Sequence, residues 1–461
     1  MSPITLILIA MGLGLVGWLA GRAKAWSFQS GSASERTASR PIYHAWYVAL
    51  WVVIPVLLFV VAWGIIAPAL IQQSVLASPA AEGLPAFGFE RDAFLGEARA
   101  VALGQAPGVF NDEAEPLIEP FRQAYDRYNT IGILVTLLIA LAGGALAFLR
   151  LKPQFGARTR VERTVMSILL IASLVAILTT LGIFASLVFE TVRFFGMISP
   201  VDFLLGIKWA PDTMASPDAV DPSRYGAVPL FWGTIFIGAI IAMIVAIPLG
   251  LMSAVYLTQY ADPRVRTWVK PLLELLAGVP TVVYGYFAAL TLAPLIRNAA
   301  VAVGITSAST ESALAAGLVM GVMIIPFVSS MADDSMAAVP GAMRDGSLAM
   351  GATKSETIRR VLFPAALPGI VAGIMLAVSR AIGETMIVVM AASPAANLTV
   401  NPLEPMSTVT VQIVKLLTGE QSTDHPATLS AFALGFVLFM VTLALNFIAL
   451  RVVKRFREAY E

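Results

Sequence analysis

The chain has 461 residues, 58% of them hydrophobic and only 13% charged, with a mean hydropathy of +0.82. Soluble domains carry roughly 25% charged residues, so this composition excludes a string of soluble domains and reads as a polytopic membrane protein. The 30 Lys and Arg nearly balance 29 Asp and Glu, which excludes a broadly basic nucleic-acid binder; with no Cys and only His44 and His425, there is no material for a disulfide framework, a thiol nucleophile or a Cys/His metal site.

A helix needs about 20 largely apolar residues to cross the hydrocarbon core. In chain order, uncharged runs of that length cover 1–21, 42–71, 129–149, 164–189, 225–261, 275–296 and 312–332. An eighth, from 361 to about 390, is interrupted only by Arg380 and Glu384, and the last covers 426–450. The fold class is therefore all-α, a polytopic bundle of about nine transmembrane helices. Runs this long exclude an outer-membrane barrel, whose strands alternate over about 10 residues.

Sorting Lys and Arg by loop places 20 of the 30 in one set and 9 in the alternate set, with Arg380 inside a span. The positive-inside bias puts the N-terminus outside and the C-terminus in the cytoplasm of a bacterial inner membrane. No Lys or Arg precedes the first run, and Arg22 and Lys24 follow it. That order is the reverse of a secretory signal, so the run is read as a span. Trp26, Trp46, Trp209 and Trp268 fall at span ends, where interfacial aromatic anchors sit.

Residues 1–163 form a three-span module around an outside loop, about 72–128, that holds nine acids and four Arg. Within it, 92–103 writes as a short amphipathic helix and 104–108 as a turn with Pro107. This loop is either a docking surface or a solvated acidic face. Residues 164–461 form a six-span core with both ends inside and no fixed-period repeat. Its outside segment, 394–426, is long and weakly polar, and a short or re-entrant helix is expected over 408–417.

A cytoplasmic segment, 333–364, joins the seventh and eighth spans and reads as a helix–turn–helix. Small residues at Gly346, Ser347, Ala349 and Gly351 admit a close partner backbone, and Ile358, Val361 and Leu362 supply an apolar anchor. Asp333 and Asp334 read as caps or solvated ends of this segment, and Glu274, within one turn of Lys270, as an interfacial residue. The stretch 346–355 has the glycine separation of a phosphate-binding loop, but Ala352 stands where Lys is required. ATP hydrolysis is thus expected in a separate polypeptide.

Arg380 and Glu384, four apart, are expected on one face of a continuous eighth helix. A charge at the bilayer centre costs about 3 kcal/mol on insertion scales, so such residues face a bundle interior or a watery path. Two readings stand. One is a structural ion pair that locks two helices; the other is an anion path in which Arg380 donates to an oxyanion and Glu384 neutralises it when the site is empty.

The cytoplasmic segment resembles the permease subunits of binding-protein-dependent ABC importers. Their signature is Glu-Ala-Ala, three residues, Gly, nine residues, then Ile-x-Leu-Pro. Here Asp345, Gly346 and Ser347, then Gly351, then Val361, Leu362, Phe363 and Pro364 keep that spacing with conservative departures. The run Arg380-Ala381-Ile382-Gly383-Glu384-Thr385-Met386 is narrower and is similar to the phosphate importer permeases of the PstC type, as is 273–285. The resemblance covers about 164–461. It implies a permease with a coupling helix for an ATPase dimer, a sister permease in a heterodimer and a periplasmic phosphate-binding protein. It also implies a phosphate path at Arg380 and Glu384, with no cofactor on this chain and ATP used by the partner. Sulfate, molybdate and an ion-driven secondary transporter are the alternatives.

Overall fold

The computed structural model describes residues 3–30, 38–81, 88–212, 221–419 and 421–457. Arg36, one of the sorted cations, and Glu82, one of the nine acids of the outside loop, lie outside the described residues. Nine described helices are long and apolar enough to cross a membrane, as expected. In order they are span 1 (Thr5–Phe28), span 2 (Pro41–Leu76), span 3 (Asp112–Arg150), span 4 (Ala157–Met197), span 5 (Val228–Tyr260), span 6 (Thr281–Ala302), span 7 (Ala313–Ala337), span 8 (Lys354–Ile382) and span 9 (Pro426–Arg451). Among the described residues the only β-type pairing is one isolated bridge between Trp209 and Tyr225.

The chain divides into two compact units, Met1–Leu178 and Thr179–Glu461, and the division falls within span 4. In the first unit, spans 1 to 3 pack through Leu6, Ala10, Val52, Val56, Val60 and Ala140. Its outside loop is an ordered cap with its own core. The helix Gly88–Ala102 buries Phe94, Leu95 and Ala98 against Ile71 and Val75 of span 2 and Leu117 and Phe121 of span 3. The Glu97 carboxylate accepts from the backbone N–H groups of Phe110 and Asn111, both at 3.2 Å, which closes the turn behind that helix.

In the second unit, span 7 is the enclosed helix: 61% of its most apolar window is buried, against none of span 4. Met320, Ile324 and Val328 of span 7 pack against Ile241 and Ala246 of span 5 and Ala377 and Ala381 of span 8. A helix apolar on every side and buried on most of them belongs in the centre of a bundle. The outside end of the unit is closed by a second cluster containing Phe194, Phe203, Trp209, Tyr225 and Leu434. Trp209 therefore departs from the expected interfacial role. It is 8% exposed and stacks edge-on against Phe203 and Tyr225, whereas Trp268 is 76% exposed.

Two of the helix boundaries that differ from the sequence expectation lie at an identifiable breaker. Span 6 starts at Thr281, because Pro280 has no N–H to give and holds Val279 extended at φ −68, ψ 131. The residues before it form a separate amphipathic helix, Pro263–Gly278, that exposes Trp268, Leu272 and Leu275 on its apolar side. Such a helix suits the plane of the membrane interface. Span 8 ends at Ile382, with Gly383 as its cap, and a short helix, Met386–Ala391, follows. The expected outside helix is present as Val409–Leu417, capped by the Thr408 hydroxyl on the Val411 N–H.

Candidate functional site

The break after span 8 changes the relation of Arg380 to Glu384. Arg380 sits in the last turn of the helix and Glu384 in the non-helical link beyond it, so they do not share a continuous helix face. No ion pair within 4 Å joins them, and among the described residues Arg380 has no carboxylate that close. The Arg380 guanidinium is exposed and lies 6.0 Å from the ring centre of Phe327 on span 7. A guanidinium on an aromatic face keeps its outward N–H groups available.

Glu384 is held by the backbone instead. One carboxylate oxygen accepts from the Met386 N–H at 3.2 Å, and the Glu384 carbonyl accepts from the Thr410 hydroxyl at 2.9 Å. Thr410 in turn lies 3.0 Å from the Thr408 hydroxyl, and the Val409 N–H donates to Thr234 of span 5 at 3.0 Å. Gln412 donates to the Pro394 carbonyl at 2.7 Å and the Ser407 hydroxyl at 2.9 Å. These buried polar groups are mutually satisfied, so they fix the outside helix Val409–Leu417 against the break. The sequence offered a weak signal for them: Ser407, Thr408, Thr410 and Gln412 are the polar positions of an otherwise apolar stretch.

Glycine lets the backbones approach here. A Cβ on Gly238 would stand 3.1 Å from the Ala381 carbonyl oxygen, and one on Gly285 would stand 3.0 Å from that of Met386. Gly238 lies in a π-helical turn, Ile235–Ile241, a local widening that often accompanies functional positions. Spans 5 and 6 thereby close on either side of the break. The result is a free guanidinium beside a rigid polar link, able to offer several directed N–H donors to an oxyanion.

At the cytoplasmic side, the joining segment forms a helix, Gly341–Ala349, on which Asp345 and Gly346 are exposed and Ser347 is half-buried. Gly351 adopts φ +86 and turns the chain, and Thr353 and Glu356 form a reciprocal cap that starts span 8. The Ser347 and Thr357 hydroxyls, 2.9 Å apart, tie the two arms. Ile358 and Leu362 are buried, as an anchor requires, while Val361, Phe363 and Pro364 are half-buried. Met343, Leu348 and Met350 leave apolar surface exposed on the outer arm, Met350 at 90%.

Asp333 corrects the expectation of a solvated cap. It is 4% exposed at the inner end of span 7, where its carboxylate accepts from Arg266 at 3.1 Å, Lys270 at 2.6 Å and Thr258 at 3.0 Å. Lys270 therefore serves Asp333 rather than Glu274. Asp334 is only 4.0 Å from Lys270 and stays exposed. Two cations in the facing segment were the available signal, since a carboxylate ending an apolar span is seldom left unpaired.

Nine described spans, an exposed cytoplasmic helix and, in the second unit, a polar break beside an arginine with no described carboxylate within 4 Å are features that suit a membrane transport permease. A family model described as a binding-protein-dependent transport system inner membrane component matches residues 246–458. One described as a phosphate ATP-binding cassette transporter matches 5–179. A probable ABC transporter permease, YqgH of Bacillus subtilis, is 32% identical over 285 residues, covering 62% of this chain and 86% of the other. The probable phosphate transport system permease PstC of Methanocaldococcus jannaschii is 30% identical over 253 residues, 52% of this chain and 79% of the other. PstC 1 of Mycobacterium tuberculosis is 31% identical over 281 residues, 56% and 83%. A distant structural likeness, to an inward-facing MetNI methionine ABC transporter, has 19% identity and a TM-score of 0.39 over 51% of this chain and 99% of that one. The chain belongs to the permease family of binding-protein-dependent ABC transport systems and is a multi-pass inner-membrane protein. The resemblance to phosphate importer permeases read from the sequence is borne out by the family model over 5–179 and by the relatives named as phosphate permeases.

Proposed function

We propose that this chain is the PstC-type permease subunit of an ATP-driven importer and forms part of the path by which inorganic phosphate crosses the inner membrane. The observation that carries the reading is Arg380, a guanidinium in the last turn of span 8 with no carboxylate within 4 Å among the described residues, set beside the break that ends the helix. Relatives named as phosphate permeases support the choice of cargo. Arg380 donates to the phosphate oxygens, and Glu384, already half engaged by the backbone, accepts from the protonated oxygen of hydrogen phosphate. The chain binds no nucleotide of its own. Its exposed helix Gly341–Ala349, with Asp345, Gly346 and Ser347, and the turn at Gly351 dock on one subunit of a separate ATPase dimer. The half-buried Val361, Phe363 and Pro364 carry that movement into span 8. A sister permease completes the path and a periplasmic phosphate-binding protein delivers the cargo.

Reconstitution of the chain with sister permease, ATPase and binding protein tests this. ATP-dependent uptake of labelled phosphate is expected, in preference to sulfate and molybdate. Uptake without ATP, or a preference for either other oxyanion, would overturn the reading.

A further inference from the structure

The first unit holds a cavity of about 690 Å³ that the transport path does not use. Its inner wall is mostly apolar, with Val60, Trp63, Ala67 and Ile71 of span 2 on one side, while span 3 adds Tyr125, Tyr128 and Asn129 on the other. Its rim is polar and belongs to the outside helix Gly88–Ala102, which contributes Asp92 and Arg99. Seven residues apart, those two stand two turns along one helix face. Neither has an ion-pair partner within 4 Å among the described residues.

A third polar feature lies deeper. Gly64 lines the same cavity, and Pro68, four residues on, has no N–H to give the Gly64 carbonyl. An acceptor left without its helical donor at membrane depth is costly unless another donor reaches it. The cavity size falls within the range of small-molecule sites, roughly 300–1,000 Å³. A mostly apolar interior with one cation and one anion among the polar groups of its rim matches an amphiphile that carries an apolar tail, a phosphate and an ammonium.

We infer that this cavity binds a zwitterionic phospholipid of the outer leaflet, with its phosphate on Arg99, its ammonium on Asp92 and an acyl chain along Val60, Ala67 and Ile71. The site is independent of Arg380 and does not rest on the choice of cargo.

The test uses the full chain, extracted from its membrane in mild detergent and incubated with phosphatidylethanolamine or phosphatidylglycerol, with bound lipid read by native mass spectrometry. One phosphatidylethanolamine is expected to survive delipidation. Arg99→Ala and Asp92→Asn should each lower its retention roughly tenfold, the scale of one charge-assisted contact. Ala67→Trp, which fills the apolar end, should exclude the lipid, and Arg122→Ala, an exposed outside arginine away from the lining, should leave retention unchanged. Retention that withstands both Arg99→Ala and Ala67→Trp, or equal retention of phosphatidylglycerol, overturns the assignment. A photoactivatable phosphatidylethanolamine on the unaltered chain should label peptides within 60–72, and labelling confined to other spans overturns it without any variant.

Discussion

Asp333 and Lys270 stand 63 positions apart in the chain, and the Lys270 ammonium donates to the Asp333 carboxylate at 2.6 Å. With Arg266 on the same oxygens, this bond fastens the interfacial helix Pro263–Gly278 to the inner end of span 7, immediately before the cytoplasmic helix. The hydrogen bond from Lys270 to Asp333 is the main cause that raises the lysine above its ordinary value. A raised lysine contributes stability that is complete below its ordinary value and is lost only as pH rises through the higher folded value. The clamp is therefore fully in place at neutral pH.

Asp333→Asn should lower stability by about 1.5–3 kcal/mol, the scale of hydrogen bonds to charged groups. The lower part of that range is expected, because Arg266 and Lys270 are each about a third exposed and can turn to water. Thermal unfolding followed by Trp fluorescence reads the change. A melting temperature equal to that of the parent chain would show that the clamp contributes nothing.

Arg380→Ala should reduce phosphate uptake in the reconstituted importer about 10- to 100-fold, the equivalent of ~1.5–3 kcal/mol of charge-assisted hydrogen bonding. Its melting temperature should hardly move, since no described carboxylate within 4 Å loses a partner. Arg380→Lys should recover only part of the rate, because an ammonium lacks the planar fork. A large fall in stability with unchanged uptake per folded molecule would assign Arg380 to structure instead.

Gly351→Ala isolates the cytoplasmic turn. Nothing lies within 4 Å of an added Cβ, so the only obstacle is the backbone at φ +86. A side chain there costs about 1–2 kcal/mol, and the arms joined by Ser347 and Thr357 should separate. Co-purification of the ATPase is expected to fall, with the apolar core of the second unit intact. Undiminished co-purification would place the docking surface elsewhere.

Glu404 supplies a pH dependence outside the spans. The Thr399 and Asn401 side chains donate to its carboxylate and hold it below the ordinary glutamate range. A lowered carboxyl contributes stability that is present above its ordinary value and lost as pH falls through the folded value. The outside turn over 399–404 should thus loosen only once pH has fallen below the ordinary glutamate range. The backbone N–H groups of Ser309, Ala313 and Leu314 donate to the Leu403, Glu404 and Pro402 carbonyls, so their hydrogen exchange reports it. Exchange that accelerates equally in Glu404→Gln would point to another group.

Much of the architecture was legible before any coordinates. The run lengths placed the nine described spans, and the long, weakly polar segment 394–426 marked the outside helix over 408–417. The signature spacing around Gly351 marked a turn that the structure realises with a left-handed glycine and a reciprocal cap at Thr353 and Glu356. Span 6 was begun too early and span 8 was carried too far for one reason. Hydropathy counts apolar residues without weighing the missing N–H of Pro280 or the link at Gly383, which end helices while leaving the apolar run intact.

What the sequence by itself determined is the set of spans and the sorting of charge about them. A charge left facing hydrocarbon is costly anywhere along a span, so the constraint is written along the chain as long uncharged runs. Only the tertiary structure decided that Asp333 takes Arg266 and Lys270, that Glu384 turns to the backbone and leaves Arg380 with no described carboxylate within 4 Å, and that Asp92 and Arg99 rim a cavity beside span 2. Each of these depends on which distant segments come within hydrogen-bonding reach, and a distance of about 3 Å is set by packing rather than by order in the chain.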